Sequence, residues 1–335
     1  MVFGLGRRKP QVSFKQQVSE FWDWYPTVAD RFYQAIEDGS LSDQVPEVSE
    51  FVERTLPGMC WVFGPGEDGG HSFTLTGAGE RPRQLLAEYW QLRAPEIPGW
   101  TFYASRQPSP PDRLKDVAIG ISDNEQVDTE SFLIETDVNE EDQRINIVAW
   151  HPAFERVPEP HHLQILFLLL DEALGEFGTE MWIGEIEVSP IESGNRVRSL
   201  ASLPEFIQQV NEFHKWKTVP PLEGVSFYEV GQQSRYRRGD TIVGSTCIPN
   251  VVLNFLEGKG RLKPDPLSGT GAEFVYLQLD GSIFPDGSET DFRGKIEDTL
   301  DEVLRAEMSG RLLGGAMGTQ NGYIDLLIFD GDQSR

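Results

Sequence analysis

The chain has 335 residues, longer than most single domains, so two domains of about 150 residues each are expected. Apolar residues make up 39 %, with 8 Trp and 20 Phe, which excludes global disorder. The 54 acidic and 29 basic residues leave a net charge of −25, which excludes a broad nucleic-acid face and docking on anionic lipid, because both need a basic surface.

Residues 1–12 read as a flexible tail. Its opening, MVFGLGRRKP, places the bases after the apolar stub, the reverse of a secretory signal, and a cytoplasmic location is expected. Over 13–38, Phe14, Val18, Phe21, Trp22, Tyr25, Val28, Phe32, Tyr33 and Ile36 recur at helical spacing. Pro26 divides that run, so two short helices are predicted. Their aromatic side chains should pack inward against Trp61 and the strand at Trp100. A helix over 42–56 stops at Pro57-Gly58, strands over 60–63 and 72–76 flank the turn GPGEDGG, and a helix (81–92) and a strand (100–106) follow.

After the Pro-rich loop 107–112, strands are predicted at 117–121, 131–136, 145–150 and 182–188. The strongly apolar segment 163–177 reads as a buried helix and 203–216 as an amphipathic one. The apolar run 163–170 is too short to cross a bilayer. Pro220-Pro221 marks a linker at 218–223, separating an N-terminal α+β domain (13–217) from a C-terminal one (224–335).

The C-terminal domain reads as strands at 225–230 and 241–245, a helix at 249–256, a strand at 273–279, a long helix from 291, and a closing hairpin. Ile296, Leu300, Val303 and Leu304 mark the buried stripe of the long helix. Gly310 reads as its cap, and Asn321-Gly322 as a type I′ turn. The order ββαβαββ predicts an antiparallel sheet covered by two helices, close to a ferredoxin-like layer. The fold class is therefore α+β, each domain a mostly antiparallel sheet covered by helices.

Chemistry-bearing patterns are sparse. Cys60 and Cys247 are far apart, without zinc-ligand spacing, and read as buried thiols. Gly314, Gly315 and Gly318 match neither the phosphate-loop nor the dinucleotide-loop spacing and read as a bulge or a close backbone approach. Glu172, Glu176 and Glu180 follow one another at helical spacing with His161 and His162 nearby. No Glu-x-x-His accompanies them, so a solvated helix face is favoured over a metal site. His71, His151 and His214 stand isolated. Arg235, Arg237 and Arg238 form the one dense basic cluster, suited to an anion or an acidic patch of a partner, or to pairing with the chain's own acids. Asp325 shares a strand face with Tyr323, Leu327 and Phe329. It is a candidate functional carboxylate, against the alternative that it bonds a neighbouring backbone or faces solvent. No catalytic set, cofactor loop or metal motif is present.

The segments FWDWYPTVADRFYQAIE, LPGMCWVFG, RAPEIPGWTFYASR and LLLDEALGEFGTEMWIGEIE resemble a pattern recurring in uncharacterised bacterial two-domain proteins of unknown function. DPLSGTGAEFVYLQLD and GGAMGTQNGYIDLLIFD are similar to segments found beside it, and the C-terminal domain is similar in charge and pattern to the acidic α+β ribonuclease E inhibitor proteins. The resemblance implies no activity and supplies no catalytic residue. The expected function is a non-enzymatic cytosolic protein that binds another protein, as a regulator or an inhibitor of the immunity type. The alternative is an enzyme with a carboxylate and Arg site between the domains.

Overall fold

The computed structural model describes residues 12–67, 69–122, 125–190, 197–231, 236 and 238–331. In chain order the elements are α1 (Phe14–Glu37), α2 (Val45–Thr55), β1 (Cys60–Pro65), β2 (His71–Thr76), α3 (Arg81–Leu92) and β3 (Trp100–Tyr103). Next come β4 (Ala118–Ser122), β5 (Glu125–Asp128), β6 (Leu133–Asn139), β7 (Arg144–Trp150), α4 (His162–Leu174), α5 (Glu176–Trp182), β8 (Ile183–Val188), β9 (Val197–Ser199) and α6 (Leu203–His214). The chain closes with β10 (Ser226–Glu229), β11 (Thr241–Thr246), α7 (Pro249–Glu257), β12 (Glu273–Asp280), α8 (Glu289–Ala306), β13 (Gly310–Gly318) and β14 (Asn321–Ile328). The fold class is α+β.

Two compact units form, one from Met1–Phe73, Glu80–Phe102 and Gly224–Arg335, the other from Thr74–Gly79 and Tyr103–Glu223. The segment 218–223 ends the second unit. Residues 13–73 and 80–102, expected to belong with the N-terminal domain, instead fold with the C-terminal sheet. The reason is apolar cover: Phe14 and Tyr89 pack on Phe329 with ring centroids 5.9 and 4.4 Å away. Polar contacts fix the register. Tyr89 donates to the Met308 carbonyl, Arg81 to that of Cys247, Arg83 to that of Pro266, and Arg311 pairs with Glu88.

In the first unit α1 is one helix, opened by a capping box in which Ser13 and Gln16 satisfy each other's backbone N–H. Pro26 sits inside it rather than dividing it. Phe21, Trp22 and Tyr25 before the proline and Val28, Ala29 and Phe32 after it are all buried, so packing on both sides holds one axis through the break. The aromatic expectation holds toward the strand at Trp100, which Tyr25 meets edge-on at 5.4 Å; the ring contacts of Trp61 are instead with Phe63 and Phe73, and the Trp22 indole donates to the Trp90 carbonyl. Cys247 is buried, but Cys60 is exposed, contrary to the expected pair of buried thiols.

The five-stranded sheet runs β10-β11-β13-β14-β12, antiparallel throughout. One strand lies between α7 and α8 and the hairpin follows both, whereas a βαββαβ ferredoxin-like layer places its hairpin between the helices. Ile296, Leu300 and Leu304 of α8 pack on Ile324, Leu326 and Ile328, while Val303 points outward. Met308 takes the left-handed position after α8, and Gly310 opens β13 instead, because a Cβ there would meet the Leu327 carbonyl at 2.6 Å. The hairpin turns at Thr319-Gln320, not at Asn321-Gly322. Asp240 draws the turn closed: its carboxylate accepts from the backbone N–H groups of Gln320 and Asn321 and from the Tyr323 hydroxyl. Gly322 is needed for space, since a Cβ would meet the Phe284 ring at 2.5 Å.

The second unit holds the hairpin β4-β5 and the sheet β8-β7-β6-β9, over a core including Phe132, Ile147, Leu166, Leu169 and Leu203. β7 and β8 are parallel, an exception to the antiparallel expectation, because the α4–α5 crossover joins them. The segment expected as one helix at 163–177 breaks at Gly175 (φ 73°), where a Cβ would meet Pro108 Cδ at 3.0 Å.

Candidate functional site

Two of the sequence-derived candidates, 87 positions apart, meet in the first unit. Arg238, which precedes β11 with a left-handed backbone (φ 72°), and Asp325, in β14, form a bidentate ion pair. Nη2 lies 2.7 Å from Oδ2, and Nη1 donates to Oδ1. Both side chains are 0 % exposed. Nη2 also donates to the Tyr228 hydroxyl at 3.3 Å, and the guanidinium carbon stands 5.3 and 5.1 Å from the Tyr276 and Tyr323 ring centroids. Gly244 makes room for this network, as a Cβ there would stand 2.4 Å from the Tyr228 oxygen. Burial opposes the charge on Arg238, and Asp325, by charge and hydrogen bonding, more than offsets it, holding the guanidinium above its usual value. Burial likewise pushes the Tyr228 phenol up to about 12.

A sealed pair of this kind has no access to a substrate, a free anion or a partner. Its chemistry is internal: it fixes the 238–240 turn onto the sheet. Arg238 therefore meets the chain's own acid, one of the two readings its sequence allowed. Asp325 bonds a side chain rather than backbone or solvent. Arg235 and Arg237 lie outside the described residues.

The glycines of β13 serve close approach. The register shifts between Leu312 and Gly314, and a Cβ at Gly314, Gly315 or Gly318 would collide with Ser245, Glu297 or Asp240. Of the three glutamates read as a solvated face, Glu176 is buried. It caps a turn, accepting from the Thr76 hydroxyl and from the N–H groups of Gly79 and Arg106. Glu172 accepts from Ser109. Beside them, burial first, then the charge of Glu176 raise the Asp171 carboxyl to about 6 against the pull of Thr179. No group of three metal-ligating side chains occurs among the described residues.

What the sequence did not signal is the open edge of the five-stranded sheet. β10 is an edge strand, exposed at three of its four positions, and Phe227 is 84 % exposed. Phe227 and Glu229 pair with Ser245 and Val243 of β11, so Phe227 and the exposed Val243 share one face, with exposed Val225 just before the strand. Among the described residues no strand pairs with the outer side of β10. Val225, Phe227 and Tyr228 mark a strand in the sequence, and that composition does not say which strand ends at an edge.

No protein-family model, curated protein or solved structure matches the chain.

Proposed function

We propose that this protein is a non-enzymatic cytoplasmic regulator that binds a basic partner protein along β10, in the manner of an inhibitor. The observation that carries the reading is the unpaired edge of β10 with Phe227 exposed on it. An edge strand offers unsatisfied backbone donors and acceptors, and an extended segment of a partner adds to it by main-chain hydrogen bonds while an apolar side chain anchors the register. The net charge of −25 selects the partner. Two copies of so acidic a chain repel, whereas a basic segment is drawn in. The Arg238–Asp325 pair supports the reading from the other side, because the most reactive-looking charges in the chain are spent inside the first unit.

The test compares tagged wild-type protein with Phe227→Asp as bait, each retained protein being quantified. Phe213→Asp, at another exposed aromatic, is the control. The reading expects one basic protein retained by wild type and by Phe213→Asp and lost from Phe227→Asp. Retention unchanged by Phe227→Asp, or sedimentation of the purified chain as a β10-dependent dimer, contradicts it.

A further inference from the structure

The sheet of the second unit contains one parallel pair, β7–β8, and a cavity of about 790 Å³ opens beyond the carboxyl ends of these strands. Chain leaving parallel strands diverges there, which is why open sheets hold ligands at that end, and the volume is that of a small-molecule site. Trp150 ends β7, Ile186 and Val188 come from β8, Phe154 lies in the turn after β7, and Leu163 lies in the first turn of α4; these supply apolar walls.

Beside His151, His162 and Ser189, the charged groups of the lining are all acidic. Glu155, Glu159 and Glu187 line the cavity, and no Lys or Arg does so among the described residues. His162 stacks on Phe154 at 4.1 Å, and its Nε2 lies 2.7 Å from the Val157 carbonyl. A carbonyl only accepts, so Nε2 carries a proton in this contact. Glu159 lies in the short turn that precedes α4. Beyond the cavity, Leu163 and Phe167, one helical turn apart on α4, are 47 % and 46 % exposed and extend the apolar wall outward.

We infer that this cavity binds a small organic cation with an aromatic or apolar body, an arylalkylamine in chemical class. Its ammonium group sits among the three glutamates and its ring against Trp150 and Phe154, where an aromatic face adds attraction for the cation. The inference does not depend on β10, which belongs to the other unit.

Isothermal titration of the full chain with tryptamine and with indole-3-propionate, the same ring carrying the opposite charge, tests it. Tryptamine is expected to saturate one site, the acid to bind at least about tenfold more weakly, and Glu155→Gln/Glu159→Gln/Glu187→Gln to lose about tenfold for tryptamine. Equal binding of the two probes, no saturable heat, or unchanged tryptamine affinity in a folded triple variant would overturn it. If the triple variant loses its fold, Glu159→Gln alone and the fall of wild-type tryptamine affinity with added salt decide in the same sense.

Discussion

Arg238 and Asp325 show what a charge costs when it leaves water. Removing one partner strands the other in the core, so Arg238→Met should destabilise the first unit by about 3–5 kcal/mol, whereas Arg238→Met/Asp325→Leu should regain most of that loss. Denaturant titration of both variants checks this; a single variant within about 1 kcal/mol of wild type would mean the pair is hydrated. Asp171 gives a pH signature of the opposite kind. Its carboxyl is raised from 3.8 to about 6 in the folded chain, so the protonated form contributes stability below about pH 4 that is lost as pH rises through about 6. The full effect is at most about 3 kcal/mol. Asp171→Asn should remove that fall, and melting curves between pH 4 and 7 measure it. Neither pair nor cluster was legible as such. The sequence marks Asp325 as a carboxylate among apolar neighbours and Arg238 as part of a basic run, but nothing local says that 87 positions close into one contact. Glu176 was misread for a related reason: helical spacing assigns a face, and the break at Gly175 turns that face inward.

Elements with strong periodicity were legible, and their breaks were not. α3 and the strands β7, β8 and β12 lie within a residue or two of their expected bounds, because apolar alternation and turn residues specify them locally. Pro26 and Gly175 went opposite ways to expectation because tertiary packing decides whether a helix survives a poor residue. Pro26 is exposed within α1 and lacks a backbone donor, so Pro26→Ala should raise stability by about 1–3 kcal/mol. A loss on that substitution, read by thermal denaturation, would mean that the proline's shape is itself needed. The closing hairpin carries the same lesson. Asn321-Gly322 has the composition of a tight turn, but Asp240, 81 positions away from Asn321, satisfies the turn two residues earlier and leaves Gly322 to clear Phe284.

At the scale of the whole molecule, sequence order and spatial grouping part company. Sequence order would keep 13–102 with the residues that follow, yet 13–73 and 80–102 join the C-terminal sheet through Phe14, Tyr89 and Glu88. Apolar cover for a sheet face is a property of the folded surface, which linker composition does not report. Cleavage within 218–223 should therefore leave 224–335 bound to the N-terminal fragment under native conditions, co-eluting on size exclusion; separate elution would contradict the grouping. No helix among the described residues is long and apolar enough to cross a membrane, and the charge of −25 is uneven, with 20 acidic against 7 basic residues in 101–200 and five of each in 201–250. Of the two edges of the five-stranded sheet, β12 exposes Val275 and Leu277 at 37 % and 39 %, and β10 exposes Phe227 at 84 %. Hydrogen exchange of the chain alone and with the basic protein it retains tests binding along β10 most directly. The account predicts that the backbone amides of 226–229 become protected in the complex, and protection confined to other segments, with 226–229 exchanging as before, would contradict it.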